Sequence, residues 1–176
     1  MIIVSGPSTI GKNPLIYKLC SMYNIHYLIP YTSRRRRPEE SNGVDYFFLT
    51  KGDFQKKIML GEINFWDYCL NNYYGYAFDF AKGTNYITHG LSRMALRIKA
   101  SYPNNVSTVF IKPNNLENIN KTLDKIYFGE DLVLRKSLVQ EEINHSPMFD
   151  YVFVVNKYAK EILNDDRLIS CIKNNK

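Results

Sequence analysis

The residues best suited to chemistry form a glycine-rich loop directly after the apolar run 1–4. The loop matches the pattern G-x-x-x-x-G-K-[S/T] except at its last position, where Asn13 replaces a hydroxyl residue. In such a loop the backbone N–H groups turn toward phosphate oxygens, the lysine reaches the β- and γ-phosphates, and the hydroxyl binds Mg²⁺. The segment therefore predicts a nucleoside triphosphate site. The predicted phosphate-binding residues are Gly6, Pro7, Ser8, Thr9, Ile10, Gly11, Lys12 and Asn13.

Asn13 is the predicted metal ligand of this loop. Its amide oxygen can bind Mg²⁺, although it is aimed differently from a hydroxyl. Pro14 suits the first turn of a helix, where N–H groups lack partners. The alternative is a chance glycine–lysine match in a turn, but the apolar run before the loop and the amphipathic run 15–19 after it favour a strand, loop and helix in succession.

A second group of candidate ligands surrounds the arginine run 34–37. A guanidinium group can donate two parallel hydrogen bonds to a phosphate group, and it stays charged. The hydroxyl of Tyr46 adds a hydrogen-bond donor without adding charge. This group predicts a site for a phosphomonoester. The alternatives are a solvated basic loop and a nucleic-acid-binding patch.

Alternating strands and helices must position these loops. Short β-branched or aromatic runs predict strands at 2–4, 25–29, 86–88, 106–111 and 151–155. Apolar spacing predicts helices at 14–23, 90–100, 116–126 and 131–144. This alternation indicates an α/β fold in which helices flank a parallel five-stranded sheet.

Residues 31–80 differ from the rest of the chain in the secondary structure that their sequence predicts. They predict a small β-rich insert, with a strand at 44–49, a short helix capped by Thr50, and an aromatic hairpin at 63–76 that turns at Asn71-Asn72. We therefore expect one domain over 1–176, in which 1–30 and 81–176 form the core and 31–80 the insert.

Composition limits the class of protein. The chain has 176 residues, 45% of them hydrophobic, and a formal charge of +6, which suits an anionic ligand. No apolar stretch approaches the roughly 20 residues of a membrane span, so no membrane partner is expected and a cytoplasmic location is predicted. Cys20, Cys69 and Cys171 lack the spacing of a disulfide framework or a zinc site.

The order of these motifs resembles the guanylate kinase family over nearly the whole chain. The resemblance is carried by Ser5 to Lys12, Thr32 to Arg37, Pro38, Glu40, Asn42-Gly43, Asp45-Tyr46, Gly61-Glu62, Trp66, Asn72 to Gly75 and Val154 to Asn156. It implies a P-loop NTPase-type fold, with ATP and Mg²⁺ at the loop and a nucleoside monophosphate in the insert. It also implies a short lid at 121–135. The residues that it assigns to the acceptor phosphate are Arg34, Arg37, Tyr46 and Tyr74, and those that it assigns to catalysis are Lys12 and Arg135.

The chain departs from the family pattern where guanine is recognised. Phe65 stands where family members place a carboxylate, Tyr76 where they place a small hydroxyl, and Pro30 where they place a serine. The segment 84–90 lacks both aspartates of the family, and the lid retains only Lys121 and Lys125 as cations before Arg135. Phosphate capture is thus predicted to be kept, while base choice is altered.

We therefore predict an acceptor-base pocket formed by Phe65, Asp67 and Tyr76, in which aromatic rings stack on the acceptor. Asp67 is the alternative source of the missing carboxylate, since it lies two residues from Phe65 on the same strand face. The other alternative is that the rings are simply core of the insert.

The resulting functional hypothesis is ATP-dependent phosphoryl transfer to a nucleoside monophosphate or a related small phosphomonoester. The rival is a catalytically impaired domain of the same fold that binds a phosphorylated ligand or partner, which the altered Asn13, the missing aspartates and the thin lid favour. A nucleic-acid partner is not expected, because no reading module is recognisable. The sequence carries no signal for an oligomeric state.

Overall fold

The apolar runs of the sequence form the central sheet of the computed structural model, which describes residues 1–82 and 85–174. In chain order, the strands are β1 (Ile2–Ser5), β2 (His26–Tyr27), β3 (Tyr31–Thr32), β4 (Phe47–Phe48), β5 (Phe65–Cys69), β6 (Asn72–Tyr76), β7 (Tyr86–His89), β8 (Ser107–Pro113) and β9 (Tyr151–Val155). The helices are α1 (Lys12–Tyr23), α2 (Lys51–Met59), α3 (Ser92–Ser101), α4 (Glu117–Ile126), α5 (Gly129–His145) and α6 (Asp166–Asn174). The chain falls into two compact units, one of residues 1–26 and 84–176 and one of residues 27–83.

The first unit contains a five-stranded sheet in the order β2-β7-β1-β8-β9. β1 pairs in parallel with both β7 and β8, and β8 pairs in parallel with β9. All four residues of β1 are buried, as expected for a central strand that is covered on both faces. The predicted parallel α/β fold is confirmed.

Helices of this unit bury the apolar faces that the sequence indicates. Leu15, Ile16 and Leu19 of α1 are fully buried, as are Ala95 and Ile98 of α3. Helix α6 was not predicted from the sequence, although its Leu168, Cys171 and Ile172 are also buried. The segment 84–90 begins outside the described residues, at Thr84, and from Tyr86 it forms β7.

The second unit contains a four-stranded sheet in the order β4-β3-β6-β5. β5 and β6 form the predicted aromatic hairpin and pair antiparallel, so that Trp66 lies opposite Gly75 on one face. The turn falls at Leu70 and Asn71, which both have positive φ (49° and 58°), one residue earlier than predicted. Two successive positive φ angles match the twist of tightly connected antiparallel strands.

The strand predicted at 44–49 is wrong in its extent, because only Phe47 and Phe48 pair as β4. Before it the chain turns: the Val44 and Asp45 N–H groups donate to the Ser41 carbonyl at 3.2 and 3.1 Å, and the Asp45 carboxylate accepts from the Ser41 N–H. Gly43 at φ 75° allows this turn.

The predicted cap of α2 is confirmed. The Thr50 side chain accepts a hydrogen bond from the Asp53 N–H at 3.1 Å, which satisfies one of the donors left open at the start of a helix. Among the described residues, none of the helices combines the length and the apolar character needed to cross a membrane.

Candidate active site

The P-loop candidate lies between β1 and α1 in the first unit. Its backbone has positive φ at Gly6 (141°), Thr9 (72°) and Gly11 (88°). A Cβ atom at Gly6 would overlap the carbonyl oxygen of Ile111 on β8, so this position admits only glycine. The chain thus turns as an anion-binding loop of backbone N–H groups requires.

The loop leads into the N-terminus of α1. Gly11 occupies the cap position without a side-chain hydrogen bond, and the first turn of this helix contains no acidic residue. The N–H groups of that turn and the positive end of the helix dipole therefore favour a bound anion. Of the remaining loop residues, Pro7 and Ile10 are buried and Ser8 and Thr9 exposed, while Asn13 is half-buried in the first turn of the helix.

Lys12 folds back over the loop. Its ammonium donates hydrogen bonds to the Gly6 carbonyl at 2.5 Å and the Pro7 carbonyl at 2.9 Å. Burial lowers the pKa of Lys12, and the charge of Glu142 opposes that change. The two hydrogen bonds hold the ammonium at the loop.

Glu142, whose charge acts on Lys12, was not predicted from the sequence. Its side chain is 5% exposed and accepts a hydrogen bond from the Ser92 N–H at 3.0 Å. The signal available in the sequence was its spacing from Leu138 and Val139, which places an acidic residue on the inward face of α5.

Arg135, the predicted lid arginine, contacts two residues close to it in the chain. Its Nε donates to both carboxylate oxygens of Asp131, at 3.1 and 3.0 Å, and its guanidinium carbon lies 3.8 Å from the centre of the Tyr127 ring. Lys121, a second lid cation, pairs with Glu117 at 2.6 Å.

In the second unit, the structure brings three of the predicted phosphate ligands together. The Arg34 guanidinium lies 5.5 Å from the centre of the Tyr46 ring, and the Tyr46 and Tyr74 ring centres are 6.4 Å apart. Arg34, Tyr46 and Tyr74 therefore lie close together in this unit.

Glu40 organises the arginine loop. Its carboxylate accepts two hydrogen bonds from Arg34, at 3.0 and 2.7 Å, and one from the Arg37 N–H at 2.9 Å. The Arg37 guanidinium itself lies 3.7 Å from Glu40 and is 43% exposed. Glu40 thus fixes Arg34 while leaving the Arg37 side chain largely accessible to solvent.

The electrostatics of this cluster suit an anionic ligand. Burial alone would raise the pKa of Glu40, but the hydrogen bonds and charges of Arg34 and Arg37 outweigh it and hold that pKa below its usual value. Burial, reinforced by Tyr74, raises the pKa of Tyr46. Tyr46 therefore stays protonated at neutral pH, and its O–H group can donate a hydrogen bond to a phosphate oxygen.

The predicted base-pocket residues lie on the sheet face that also carries Tyr74. The register pairs Phe65 with Tyr76 and Asp67 with Tyr74, and directly paired residues share a face. Tyr76 is only 1% exposed, so its ring belongs to the core of the second unit. Phe65 is half-buried and stacks on Phe78, a residue not predicted from the sequence, with ring centres 5.2 Å apart and planes at 8°.

The donor set around the loop limits what the protein can contribute to a metal. Within residues 1–82 and 85–174, no cluster of three or more His, Cys, Asp or Glu side chains could hold an ion. Mg²⁺ in nucleotide sites takes most of its ligands from water and phosphate oxygens. Asn13, which offers one amide oxygen, fits such a site as a single ligand.

A parallel sheet with a glycine-rich loop after β1 and a small mixed sheet inserted after β2 is the arrangement of a P-loop nucleoside monophosphate kinase. The family model for guanylate kinase matches residues 1–170, and the chain belongs to the guanylate kinase family. The resemblance noted in the sequence is thereby confirmed.

Individual relatives agree with this assignment. The chain is 31% identical over 175 residues to the guanylate kinase of Mycoplasma genitalium, covering 94% of this chain and 72% of that protein. It is also 31% identical over 183 residues to the guanylate kinase of Oceanobacillus iheyensis, covering 98% of this chain and 86% of that protein. The crystal structure of guanylate kinase from Anaplasma phagocytophilum superposes with a TM-score of 0.78 at 23% identity, covering 100% of this chain and 86% of that chain, and so shares the fold.

Proposed function

We propose that this member of the family transfers the terminal phosphoryl group of ATP to GMP or a related nucleoside monophosphate, with weakened selection for guanine. Its relatives are guanylate kinases, which supports GMP as the reference acceptor. One observation carries the proposal: groups suited to phosphate are present in both units, whereas the positions for the guanine edge hold Phe65 and Tyr76.

On the donor side, the loop N–H groups and Lys12 hold the β- and γ-phosphates of ATP. Asn13 supplies one ligand to Mg²⁺, which neutralises phosphate oxygens when bound. Such transfer depends on in-line positioning and charge neutralisation and needs little covalent chemistry from the protein.

On the acceptor side, Arg34, Arg37, Tyr46 and Tyr74 hold the monophosphate. One of its oxygens forms a bond to the γ-phosphorus as the bond from that phosphorus to the ADP oxygen breaks, which yields ADP and a nucleoside diphosphate. Arg135 stabilises the charge on the migrating group, and to do so it leaves the contacts with Asp131 and Tyr127 described above.

Base selection is where this chain differs from a hydrogen-bonding guanine pocket. The carboxylate position holds Phe65, whose ring stacks on Phe78, and aromatic rings select poorly between bases because every base has a π-face. Asp67 carries a carboxylate on this face and pairs with Tyr74, a predicted phosphate ligand, whereas Phe65 lies two residue pairs further along the hairpin.

The test is ATP turnover with a panel of acceptors: GMP, dGMP, AMP, CMP, UMP and sugar phosphates. A pocket that hydrogen-bonds its substrate discriminates by up to about 10⁴-fold. We expect GMP to be a substrate with a kcat/KM advantage of less than about 100-fold over the next nucleotide. Selective turnover of GMP would refute the altered base pocket. If none of the acceptors is phosphorylated, the kinase assignment is refuted.

Two variants sharpen this test. Phe65→Glu restores a carboxylate and is expected to raise the kcat/KM ratio of GMP to AMP at least about tenfold, whereas Trp66→Phe, on the opposite face of the same strand, leaves that ratio unchanged. Lys12→Ala is expected to abolish transfer to every acceptor. Undiminished transfer in Lys12→Ala would mean that the P-loop does not bind the donor.

The second candidate function is phosphoryl-ligand binding without transfer. It is favoured by Asn13 at the metal position and by the contacts that hold Arg135 on Asp131 and Tyr127. Calorimetry with ATP and GMP, with and without Mg²⁺, separates the two candidates. Binding of a monophosphate with no ATP binding supports this second function, while Mg²⁺-dependent ATP binding supports the kinase.

A further inference from the structure

The ring of Phe78 extends the sheet face that carries the proposed acceptor residues. Phe78 follows Tyr76 by two residues, the spacing that keeps side chains on one face of a strand. Its ring stacks on that of Phe65, with centres 5.2 Å apart and planes at 8° to each other. Phe80 meets Phe78 edge-on, with ring centres 4.9 Å apart. Aromatic rings thus continue this face past the end of β6.

The side chain of Asn64 holds the backbone of Phe78 in place. Its amide N–H donates to the Phe78 carbonyl at 2.6 Å, and its amide oxygen accepts from the Phe78 N–H at 3.3 Å. The backbone N–H of Asn64 donates to the Tyr76 carbonyl at 3.0 Å, which continues the pairing of β5 with β6 by one residue. The position of the Phe78 ring is therefore set by the residue next to Phe65.

Burial separates this ring pair from the core of the second unit. Tyr76 is 1% exposed, whereas Phe65 and Phe78 are both half-buried. The stacked pair therefore keeps part of its apolar surface in contact with solvent. Covering such surface with a flat base is favourable, because it removes apolar area from water and allows the rings to stack.

The order of side chains along this face indicates which part of an acceptor meets the pair. Tyr74, a predicted phosphate ligand, comes first, Phe65 second and Phe78 third, with steps of about 6.5 Å for every two residues of a strand. In a nucleotide, the second ring of a purine extends further from the sugar than the single ring of a pyrimidine does. The place of Phe78, farthest from the phosphate ligand, therefore favours contact with the larger base.

We propose that Phe78 is a specificity-determining residue, which together with Phe65 selects purine over pyrimidine monophosphates by the area of the stacked rings, and that Asn64 positions it. This role rests on the function proposed above. The two rings offer no hydrogen-bond acceptor to the N–H groups of guanine, so they favour purines as a class without favouring guanine among them. Preferences of this kind arise from stacking strength.

The test compares Phe78→Ala with Tyr68→Ala in steady-state kinetics with GMP, AMP, CMP and UMP. Tyr68 is the control because it lies on the opposite face of β5, paired with Tyr73. We expect Phe78→Ala to lower kcat/KM about tenfold for GMP and AMP and less than about threefold for CMP and UMP, with the KM for ATP unchanged. Tyr68→Ala should keep the purine-to-pyrimidine ratio of the wild type. An equal loss for all four acceptors, or no loss for the purines, overturns the proposal.

Calorimetric titration of the same monophosphates without ATP separates this inference from the proposed function. A wild type that binds GMP and AMP but phosphorylates neither refutes the kinase, while the Kd values of the wild type and Phe78→Ala still decide the role of Phe78. Equal phosphorylation of the purines by both proteins supports the kinase and refutes this inference. Binding of none of the monophosphates refutes both.

A double-mutant cycle tests the role of Asn64. Asn64→Ala removes both side-chain hydrogen bonds to the Phe78 backbone, so we expect kcat/KM for the purines to fall at least about threefold. In the Phe78→Ala background it should cause no further loss, because the ring that it positions is gone. The same loss in both backgrounds would refute the positioning role.

If Phe78→Ala does not fold, Phe78→Leu replaces it. Leucine keeps apolar bulk beside Phe65 but has no π-face, so we expect the same decrease in the purine-to-pyrimidine ratio. A ratio equal to that of the wild type would show that this position fills space and does not select the base.

Discussion

At the scale of single residues, the backbone geometry of the glycine-rich loop was predictable and the buried partners were not. The P-loop pattern fixes residue types through backbone geometry and charge. The positive φ angles of Gly6 and Gly11 and the hydrogen bonds of Lys12 to the loop agree with it. Spacing places Glu142 on the inward face of α5, but it does not show that this side chain meets Ser92, nor that Phe78 stacks on Phe65.

Asn13 gives the most direct prediction at this scale. Asn13→Ser restores the hydroxyl of the P-loop pattern and should increase Mg²⁺ affinity and kcat several-fold, because a hydroxyl at this position would hold Mg²⁺ better than the amide oxygen does. The measurement is a Mg²⁺ titration of ATP turnover, with Asn13→Ala as the matched control that offers no oxygen. Equal activity of the wild type and both variants would show that this position does not bind the metal.

At the scale of elements, the sequence predicted regular structure better than turns. Strands β1 and β9 and helix α4 lie within two residues of their predicted bounds because continuous apolar runs and helical spacing define them. The strand expected at 44–49 was shortened by the turn at Ser41 to Asp45, where side-chain and backbone hydrogen bonds compete with strand pairing.

The loop 34–40 provides the prediction for this scale. Glu40→Gln removes the charge that orders Arg34 and Arg37, so the KM for the acceptor should rise about tenfold while the KM for ATP stays the same; a charge-assisted hydrogen bond contributes about 1.5–3 kcal/mol. Steady-state kinetics with each substrate varied in turn measure both constants.

Glu39→Gln is the control for this change, since Glu39 is the exposed neighbour of Glu40. It should leave both KM values unaltered. A lower acceptor KM in Glu40→Gln would mean that Glu40 competes with the phosphate for Arg34 instead of ordering it.

At the scale of the whole molecule, stability is linked to protonation of Glu142. Burial raises the pKa of Glu142 to about 7 from its ordinary value of 4.5, although Lys12 and Arg93 act against this change and Glu141 acts with it. Between these two pH values the folded chain keeps a proton that the unfolded chain has lost. The free energy of unfolding therefore falls as the pH rises from 4.5 to about 7.

Chemical denaturation at about pH 5 and about pH 7.5 measures this effect. We expect the wild type to lose on the order of 2–3 kcal/mol relative to Glu142→Gln over this range, because each pKa unit is worth about 1.4 kcal/mol. Lys12, Arg93, Glu141 and His145 are present in both proteins, so the difference between them isolates residue 142. A difference that stays constant with pH would show that Glu142 titrates alike in the folded and unfolded chains.

The sole tryptophan of the chain, Trp66, lies in β5 and is 38% exposed. It packs edge-on against Tyr73, on the sheet face opposite Phe65 and Asp67. Its fluorescence therefore comes from the second unit. A change in the emission of this indole on adding a monophosphate would report binding to the second unit in the unmodified protein.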